Sequence, residues 1–299
     1  MQAIIKKYSA KIVSRHGAHL VVKDDRKIRH TCISSKKFSH AVCGDNAVCS
    51  TVDHDRDQIL ELLPRKNELV RQTEYATKTV AANIDTIIIV CAVEPKPSLE
   101  LIDQYLVAAE TLPATAVITL NKIDLSTHLE VTDTLQKKYE SLPYPIVTTS
   151  KKHSNHLENL KQHLTNKTCI FVGQSGVGKS TLLNELVPEL EIETQEISDL
   201  SGQGRHTTSA TTLYDLPFGG ELIDSPGVRE FTMPKLDAES ISNGFIEIEE
   251  LASECKFHNC KHTQEPKCAV LKAVNEDRVN SLRYESYLKM INNIEEDKY

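Results

Sequence analysis

The feature that most constrains the fold of this chain of 299 residues is a glycine-rich segment, GQSGVGKST, at residues 173–181. It follows the apolar run CIFV and precedes TLLNEL, so the pattern predicts a strand, a tight loop and a helix in succession. In that context the glycines let the backbone wrap around an anion, and the N–H groups at the helix start point towards it. A chance glycine turn is the alternative. The flanking elements favour a phosphate-binding loop in an α/β sheet.

The positions of this loop have separate predicted roles. We expect the backbone amides to surround the phosphates, Lys179 to contact the β and γ phosphates in catalysis, and Ser180 to ligate Mg²⁺. The predicted nucleotide contacts in the loop are Gly173, Gln174, Ser175, Gly176, Val177, Gly178, Lys179, Ser180 and Thr181.

A second motif, NKID, ends the apolar segment AVITL, and ligands bind where parallel strands end. The Asp124 carboxylate can accept from both N1–H and the exocyclic amine of guanine, whereas adenine would leave it unpaired. Asn121 can reach the N7 and O6 side of the base, and the Lys122 stem can cover it. The motif therefore predicts guanine recognition. Its residues, with those of the following TTSK segment that we expect to brace the base, are Asn121, Lys122, Ile123, Asp124, Ser150 and Lys151.

Two further segments are predicted to complete the magnesium site. DSPG follows a strand, so Asp224 can hold Mg²⁺ through water and the Gly227 N–H can face the γ phosphate, although a simple turn is the alternative. SGQGRHTTS, at residues 201–209, is typical of a loop that orders on ligand binding. Its Thr208, or failing that Thr207, is the predicted second hydroxyl ligand of Mg²⁺.

The order of these motifs is unusual. The guanine motif and its brace precede the phosphate loop and DSPG, whereas in the usual Ras-like arrangement the phosphate loop comes first. The order therefore predicts a circular permutation, in which the sheet is the same and the chain termini lie elsewhere. Strands that alternate with helices predict a doubly wound α/β sheet in residues 71–237.

Two other domains are predicted on either side of this one. Short alternating segments in residues 1–70 predict a small antiparallel barrel. Residues 238–299 are expected to be helical, with one cysteine-rich loop. The predicted protein is thus multi-domain.

Charge and hydropathy suggest where the chain acts. Residues 1–70 hold thirteen Lys and Arg against eight Asp and Glu, although the whole chain has a net charge of −7. A basic end on an acidic protein is typical of a nucleic-acid-binding module, and a solvated charged face is the alternative. The longest apolar run, residues 87–93, is far too short for a membrane span, and lysines interrupt the apolar residues at the N-terminus. We expect a cytoplasmic protein that engages no membrane.

The eight cysteines fall into two groups. Five lie singly in apolar surroundings and are predicted to pack in the core: Cys32, Cys43, Cys49, Cys91 and Cys169. The segment CKFHNCKHTQEPKC holds the others. Three thiolates and one imidazole would make a closed, structural zinc site. Unrelated loop cysteines are the alternative, and His258 offers a competing nitrogen. The predicted zinc ligands are Cys255, Cys260, His262 and Cys268.

The permuted order, GRHTT, DSPGVREF and the Cys/His spacing together resemble the ribosome small subunit-dependent GTPase A (RsgA) family, over essentially the whole length. The resemblance implies an N-terminal OB-fold, a permuted GTPase domain and a zinc-containing C-terminal domain. It also implies late maturation of the bacterial 30S subunit, contact with 16S rRNA, and hydrolysis of GTP to GDP and phosphate stimulated by that subunit. We expect a monomer.

The resemblance also bears on the attacking water. Ras-like enzymes orient this water with a glutamine just after the DxxG element, but Val228 stands there and cannot hydrogen-bond. The family pattern implies that His206 in GRHTT has this role, with a solvated loop histidine as the alternative. Two competing functions stay open at this point: a nucleotide-gated RNA-binding module in which hydrolysis is incidental, and an ATP-using metabolic enzyme.

Overall fold

The computed structural model describes residues 7–17, 19–53, 56–72, 77–125, 127–152, 155–188, 211–225 and 236–296. The first five strands form an N-terminal barrel. They are β1 (Lys7–His16), β2 (His19–Asp24), β3 (Arg29–Ile33), β4 (Asn46–Asp53) and β5 (Arg56–Leu62).

The barrel closes because β1 pairs with both β2 and β4. The order around it is β1-β2-β3-β5-β4, and only the β3–β5 contact is parallel. Side chains alternate along each strand, so every second residue points inward. The interior holds apolar residues that include Ile12, Leu20 and Val22, and Phe38 from a short 3₁₀ helix (Lys36–Phe38) packs with them. The predicted barrel with OB-fold architecture is confirmed.

A hairpin of β6 (Glu68–Gln72) and β7 (Thr77–Ala82) follows the barrel and leads into the central sheet. The strands of that sheet are β8 (Thr86–Ala92), β9 (Thr115–Asn121), β10 (Ile146–Thr148), β11 (Thr168–Val172), β12 (Thr212–Asp215) and β13 (Glu221–Asp224). The helices are α1 (Leu99–Thr111), α2 (His128–Tyr139), α3 (Glu158–Leu164) and α4 (Lys179–Leu186).

The central sheet has the order β10-β9-β8-β11-β13-β12. All neighbouring strands are parallel except β12, which runs antiparallel to β13. Strand β8 is buried along its whole length because apolar clusters cover both faces of the sheet. The chain passes through β8, β9 and β10 before it reaches β11 and the phosphate loop. The predicted permuted α/β fold is therefore confirmed.

The C-terminal part is helical, as predicted, and packs on the central domain. Its helices are α5 (Ala238–Gly244), α6 (Ile246–Ala252), α7 (Ala269–Asn275) and α8 (Ser281–Glu296). Phe245 and Tyr287 pack there with Val107 of α1. A buried charge cluster adds to the contact, since Arg283 Nη1 lies 2.7 Å from Asp103 Oδ1 and Lys138 Nζ lies 2.6 Å from Asp103 Oδ2.

The barrel and the central sheet are continuous. Ser14 of β1 is the antiparallel partner of Thr212 of β12, so eleven strands form one sheet. Among the described residues, no helix is both long and apolar enough to cross a membrane.

Candidate nucleotide-binding site

The phosphate loop lies where the sequence predicts it, between the end of β11 and the start of α4. Gly173 has a φ of +133°, and a Cβ there would lie 2.0 Å from Val90 O, so only glycine fits beside β8. Lys179 is buried, and its Nζ donates to Gly173 O at 2.5 Å and Gln174 O at 2.6 Å. The loop thus surrounds an ammonium group at the N-terminus of a helix, which is the charge arrangement that phosphate requires.

The guanine motif is joined directly to this loop. Asn121 Nδ2 donates to Val177 O at 3.0 Å, and its Oδ1 accepts from Thr149 Oγ1 at 3.0 Å. Lys122 Nζ donates to Gly176 O at 2.8 Å. A Cβ at Gly178 would lie 2.4 Å from Asn121 Nδ2, so glycine is needed for this approach. The amide and ammonium groups of NKID therefore set the position of the phosphate loop.

Asp124 is oriented by the brace that follows β10. Ser150 Oγ donates to Asp124 Oδ1 at 2.7 Å, and Lys152 Nζ lies 3.0 Å from Oδ2. The hydrogen bond from Ser150 and then that from Lys152 lower the pKa of Asp124 to about 2. The Ile123 N–H donates to Thr149 O at 3.3 Å, which ties the motif to the same brace. The carboxylate is therefore ionised and ready to accept hydrogen bonds at neutral pH.

The two motifs converge on one cavity of about 300 Å³, a volume in the lower range for small-ligand sites. Its position between Asp124 and the first turns of α4 suits a base whose phosphates reach the loop. The lining residues are Asn121, Lys122, Asp124, Leu125, Lys151, Lys152, His156, Gly178, Thr181, Leu182 and Glu185.

The structure describes part of the predicted magnesium site. Strand β13 ends at Asp224 and pairs in parallel with β11, so this carboxylate lies at the same edge of the sheet as the phosphate loop. Ser180 is the second residue of α4, at that edge. The other predicted residues on this side lie outside the described residues: His206, Thr207, Thr208, Gly227 and Val228.

The predicted metal ligands in the C-terminal domain form a compact cluster. The ligand atoms of Cys255, Cys260, His262 and Cys268 all lie within 4.8 Å of one another. The Sγ atoms of Cys255 and Cys268 are 3.8 Å apart, and His262 Nδ1 is 3.5 Å from each. A tetrahedron with zinc–sulfur bonds of about 2.3 Å has edges of about 3.8 Å, so the set fits a four-coordinate metal. The competing His258 is exposed and is not part of the cluster.

Neighbouring groups orient these ligands. Backbone N–H groups of Ala269 and Leu271 donate to Cys255 Sγ and Cys268 Sγ at 3.3 and 3.4 Å, which favours thiolates. Tyr284 Oη donates to His262 O at 2.7 Å and fixes the loop against α8. Burial raises the pKa of Cys260 to about 12, so a cation that binds there must displace a proton.

Three polar side chains that line this cavity were not predicted from the sequence: Lys152, His156 and Glu185. Lys152 directly follows the TTSK brace, so its position could have indicated a contact with Asp124. No local pattern marks His156 or Glu185, because they meet only through the packing of the segment before α3 against α4.

Comparisons with known proteins identify the family of this chain. The model of the RsgA GTPase family matches residues 62–234. The small ribosomal subunit biogenesis GTPase RsgA of Actinobacillus pleuropneumoniae serotype 5b (strain L20) is 42% identical over 295 residues, covering 96% of this chain and 86% of that protein. The protein of the same name from Haemophilus influenzae (strain 86-028NP) is 40% identical, with 96% and 85% covered.

Two solved structures share the whole architecture. YjeQ from Thermotoga maritima superposes with a TM-score of 0.80 at 31% identity, covering 97% of this chain and 99% of that one. YloQ, described as a circularly permuted GTPase, has a TM-score of 0.78 at 27% identity, with 100% and 99% covered. With the order of the strands and motifs described above, these similarities lead to one conclusion. The chain belongs to the RsgA family of circularly permuted GTPases, which are hydrolases that act on GTP.

Proposed function

We propose that this chain binds GTP in the cavity between NKID and the phosphate loop, hydrolyses it to GDP and phosphate, and uses the reaction to time a step in small ribosomal subunit assembly. The observation that carries the proposal is the direct link between the two motifs, in which Asn121 Nδ2 donates to Val177 O. A base held by Asp124 and phosphates held by the loop would then belong to one nucleotide. NKID argues against ATP, and a competition assay with ATP and GTP tests this choice.

The proposed chemistry divides between the two ends of the nucleotide. Lys179 and the loop amides would bind the β and γ phosphates and stabilise the charge that develops on them during transfer. Ser180, Asp224 and Thr208 would hold Mg²⁺, which would neutralise the phosphate oxygens when bound. The role of the protein groups is therefore to orient the phosphates and to stabilise charge.

We propose that His206 positions the attacking water. Val228 cannot orient it, and GRHTT supplies an imidazole in the sequence segment before β12. The test is the turnover of His206→Ala with and without small ribosomal subunits. We expect the stimulated rate to fall by about 100-fold or more while GTP affinity is kept. A normal stimulated rate would remove His206 from the mechanism.

The proposed partner is the 30S subunit with its 16S rRNA, because the relatives at 40–42% identity are named small ribosomal subunit biogenesis GTPases. The barrel offers basic side chains for this contact. The following are exposed on the turn before β3, on β3 itself and on the short 3₁₀ helix after it: Arg26, Lys27, Arg29, Lys36 and Lys37. Binding through phosphate contacts should weaken steeply as salt rises. Salt-independent binding would contradict this role of the barrel.

We divide the proposed functions among three segments: RNA contact in residues 1–70, GTP hydrolysis in residues 71–237, and a zinc-stabilised helical module in residues 238–299. We infer that the Cys/His cluster holds one structural Zn²⁺, because its four protein ligands leave no position open for a substrate. We propose that the protein acts in the cytoplasm and binds its ribosomal partner as a monomer.

The decisive experiment is the GTPase rate with and without purified 30S subunits. We expect clear stimulation by the subunit. The competing function, an RNA-binding module in which hydrolysis is incidental, predicts equal rates in both conditions. Asp124→Asn is the matched control, because it should remove GTP turnover in either condition and leave the basic barrel unchanged.

A further inference from the structure

One contact between polar side chains in the wall of this cavity has no role in the chemistry above. His156 Nε2 lies 2.9 Å from Glu185 Oε2, and the two side chains are only 14% and 22% exposed. His156 lies just before α3, six residues after Ser150 of the brace, and Glu185 lies in the last turn of α4. Both residues line the cavity. The pair therefore connects two parts of the site. One is the segment after β10, which orients Asp124, and the other is α4, which begins at the phosphate loop.

Stability alone does not explain this pair. His156 Nδ1 and Glu185 Oε1 are buried, and neither has a hydrogen-bond partner among the residues that the structure describes. A buried polar atom without a partner is destabilising, and replacing both partners of a hydrogen bond by apolar groups of the same shape is often nearly neutral. Groups that oppose stability in this way concentrate at functional sites.

The position of the pair indicates what it does. On one side, Ser150 and Lys152 both contact the Asp124 carboxylate, and His156 follows Lys152 by four residues. On the other side, Thr181 and Leu182 of α4 line the same cavity as Glu185. A contact between these two sides sets the distance between them, and small displacements of a binding group weaken recognition strongly.

We propose that the His156–Glu185 pair is a positioning device that sets the width of the guanine cavity, so that the base meets Asp124 and the brace at the same time. The proposal rests on the proposed function of this cavity as the guanine site. His156 and Glu185 are positioning residues, and they take no part in phosphoryl transfer.

The test measures the affinities of the full chain for GDP and for inosine diphosphate. The base of inosine diphosphate lacks the exocyclic amine that would donate a hydrogen bond to Asp124. We expect His156→Ala and Glu185→Ala each to weaken GDP binding about tenfold and inosine diphosphate binding about threefold at most. The double variant should be no weaker than either single variant, because both remove the same contact. Glu185→Gln should restore most of the affinity, since its amide oxygen can accept the same hydrogen bond.

Matched controls separate positioning from general loss of structure. Asn184→Ala alters an exposed neighbour on α4, and Glu158→Ala alters an exposed carboxylate on α3, so both should bind GDP as the unchanged chain does. Equal losses for GDP and inosine diphosphate, or additive losses in the double variant, would overturn the proposal. Unchanged GDP affinity in the variants, with a guanine preference that depends on Asp124, would overturn this inference alone. A chain without any preference for GDP over ADP would overturn the proposed function as well.

Discussion

At the scale of single residues, Asp124 is the side chain that we propose recognises the base. Its carboxylate is oriented by Ser150 and Lys152, and their hydrogen bonds lower its pKa to about 2. Because this pKa lies below the ordinary value, the carboxylate keeps its charge at any pH above about 4. The capacity of Asp124 to accept hydrogen bonds from guanine should therefore be the same from pH 5 to pH 8.

We predict that Asp124→Asn changes the preferred base from guanine to xanthine. The amide of Asn can donate to the C2 carbonyl of xanthine, whereas it has one acceptor for the two guanine donors, N1–H and N2–H₂, that the carboxylate can accept together. GDP affinity should fall by at least about 100-fold, because a polar group that loses its partner in a buried site rejects the ligand strongly. Competition of xanthosine diphosphate with GDP measures the change, and an unchanged guanine preference would place the base elsewhere.

The sequence predicts the residues of this site that act through local chemistry, and it misses those that act through packing. Gly173 and Asn121 were predictable because a phosphate loop and a guanine motif need those residue types at fixed spacing. His262 was predicted as a ligand with His258 as a competing nitrogen, and the loop conformation decides between them, because His262 has a φ of +57° and its Nδ1 lies 3.5 Å from Cys255 Sγ. The contact between His156 and Glu185 depends on how the segment before α3 packs against α4, which no spacing in the sequence encodes.

At the scale of elements, the same limit applies to strands. The apolar run of β8 predicts a buried strand, and Ser98 predicts the start of α1, where its side chain accepts from Leu101 N–H. The local sequence does not predict which strands pair with each other. Nothing in β12 indicates that Thr212 pairs with Ser14 of the barrel, about 200 residues earlier, because pairing at that separation depends on the whole assembled sheet.

The metal loop is the element whose stability depends most directly on a few side chains. It connects α6 to α7, and Cys268 also caps α7, where its Sγ accepts from Leu271 N–H at 3.4 Å. The sulfur ligands therefore connect the loop to the helix that follows it. If a metal holds the four ligand atoms together, its loss should release both the loop and the start of α7.

We predict that Cys260→Ser loses the bound metal and destabilises the C-terminal helices by at least about 2 kcal/mol, since metal binding contributes directly to folding. Elemental analysis should give one zinc per unchanged chain and none for the variant, and a thermal melt should show the loss of stability. His258→Ala is the matched control, because His258 is exposed and lies outside the cluster. Equal zinc content in Cys260→Ser and the unchanged chain would contradict the assignment.

At the scale of the whole molecule, the barrel is joined to the strand that carries Asp224. Glu221 lies three residues before Asp224 on β13, and its carboxylate contacts two lysines of the barrel, Lys11 Nζ at 2.5 Å and Lys23 Nζ at 2.7 Å. Lys23 Nζ also lies 2.6 Å from Asp215 of β12. A movement of the barrel would thus act on β13, which ends at the same edge of the sheet as the phosphate loop, so the barrel and the central domain have a direct mechanical connection.

The pH dependence of stability measures this connection. The hydrogen bonds from Lys11 and Lys23 outweigh the effect of burial and lower the pKa of Glu221 to about 2, from an ordinary value of 4.5. Because the folded-state pKa is the lower one, the stabilisation is fully present above about pH 4.5 and is lost as the pH falls towards 2.

We predict that Glu221→Gln reduces the free energy of unfolding by about 1–3 kcal/mol at pH 7, because two barrel lysines lose their ionic partner. Urea denaturation should show the gap between variant and unchanged chain shrinking from pH 4.5 to pH 3. Glu276→Gln, in an exposed pair with Arg278, is the control and should leave stability nearly unchanged at every pH. A gap for Glu221→Gln that stays constant as the pH falls would show that these lysines do not hold the barrel through the Glu221 charge.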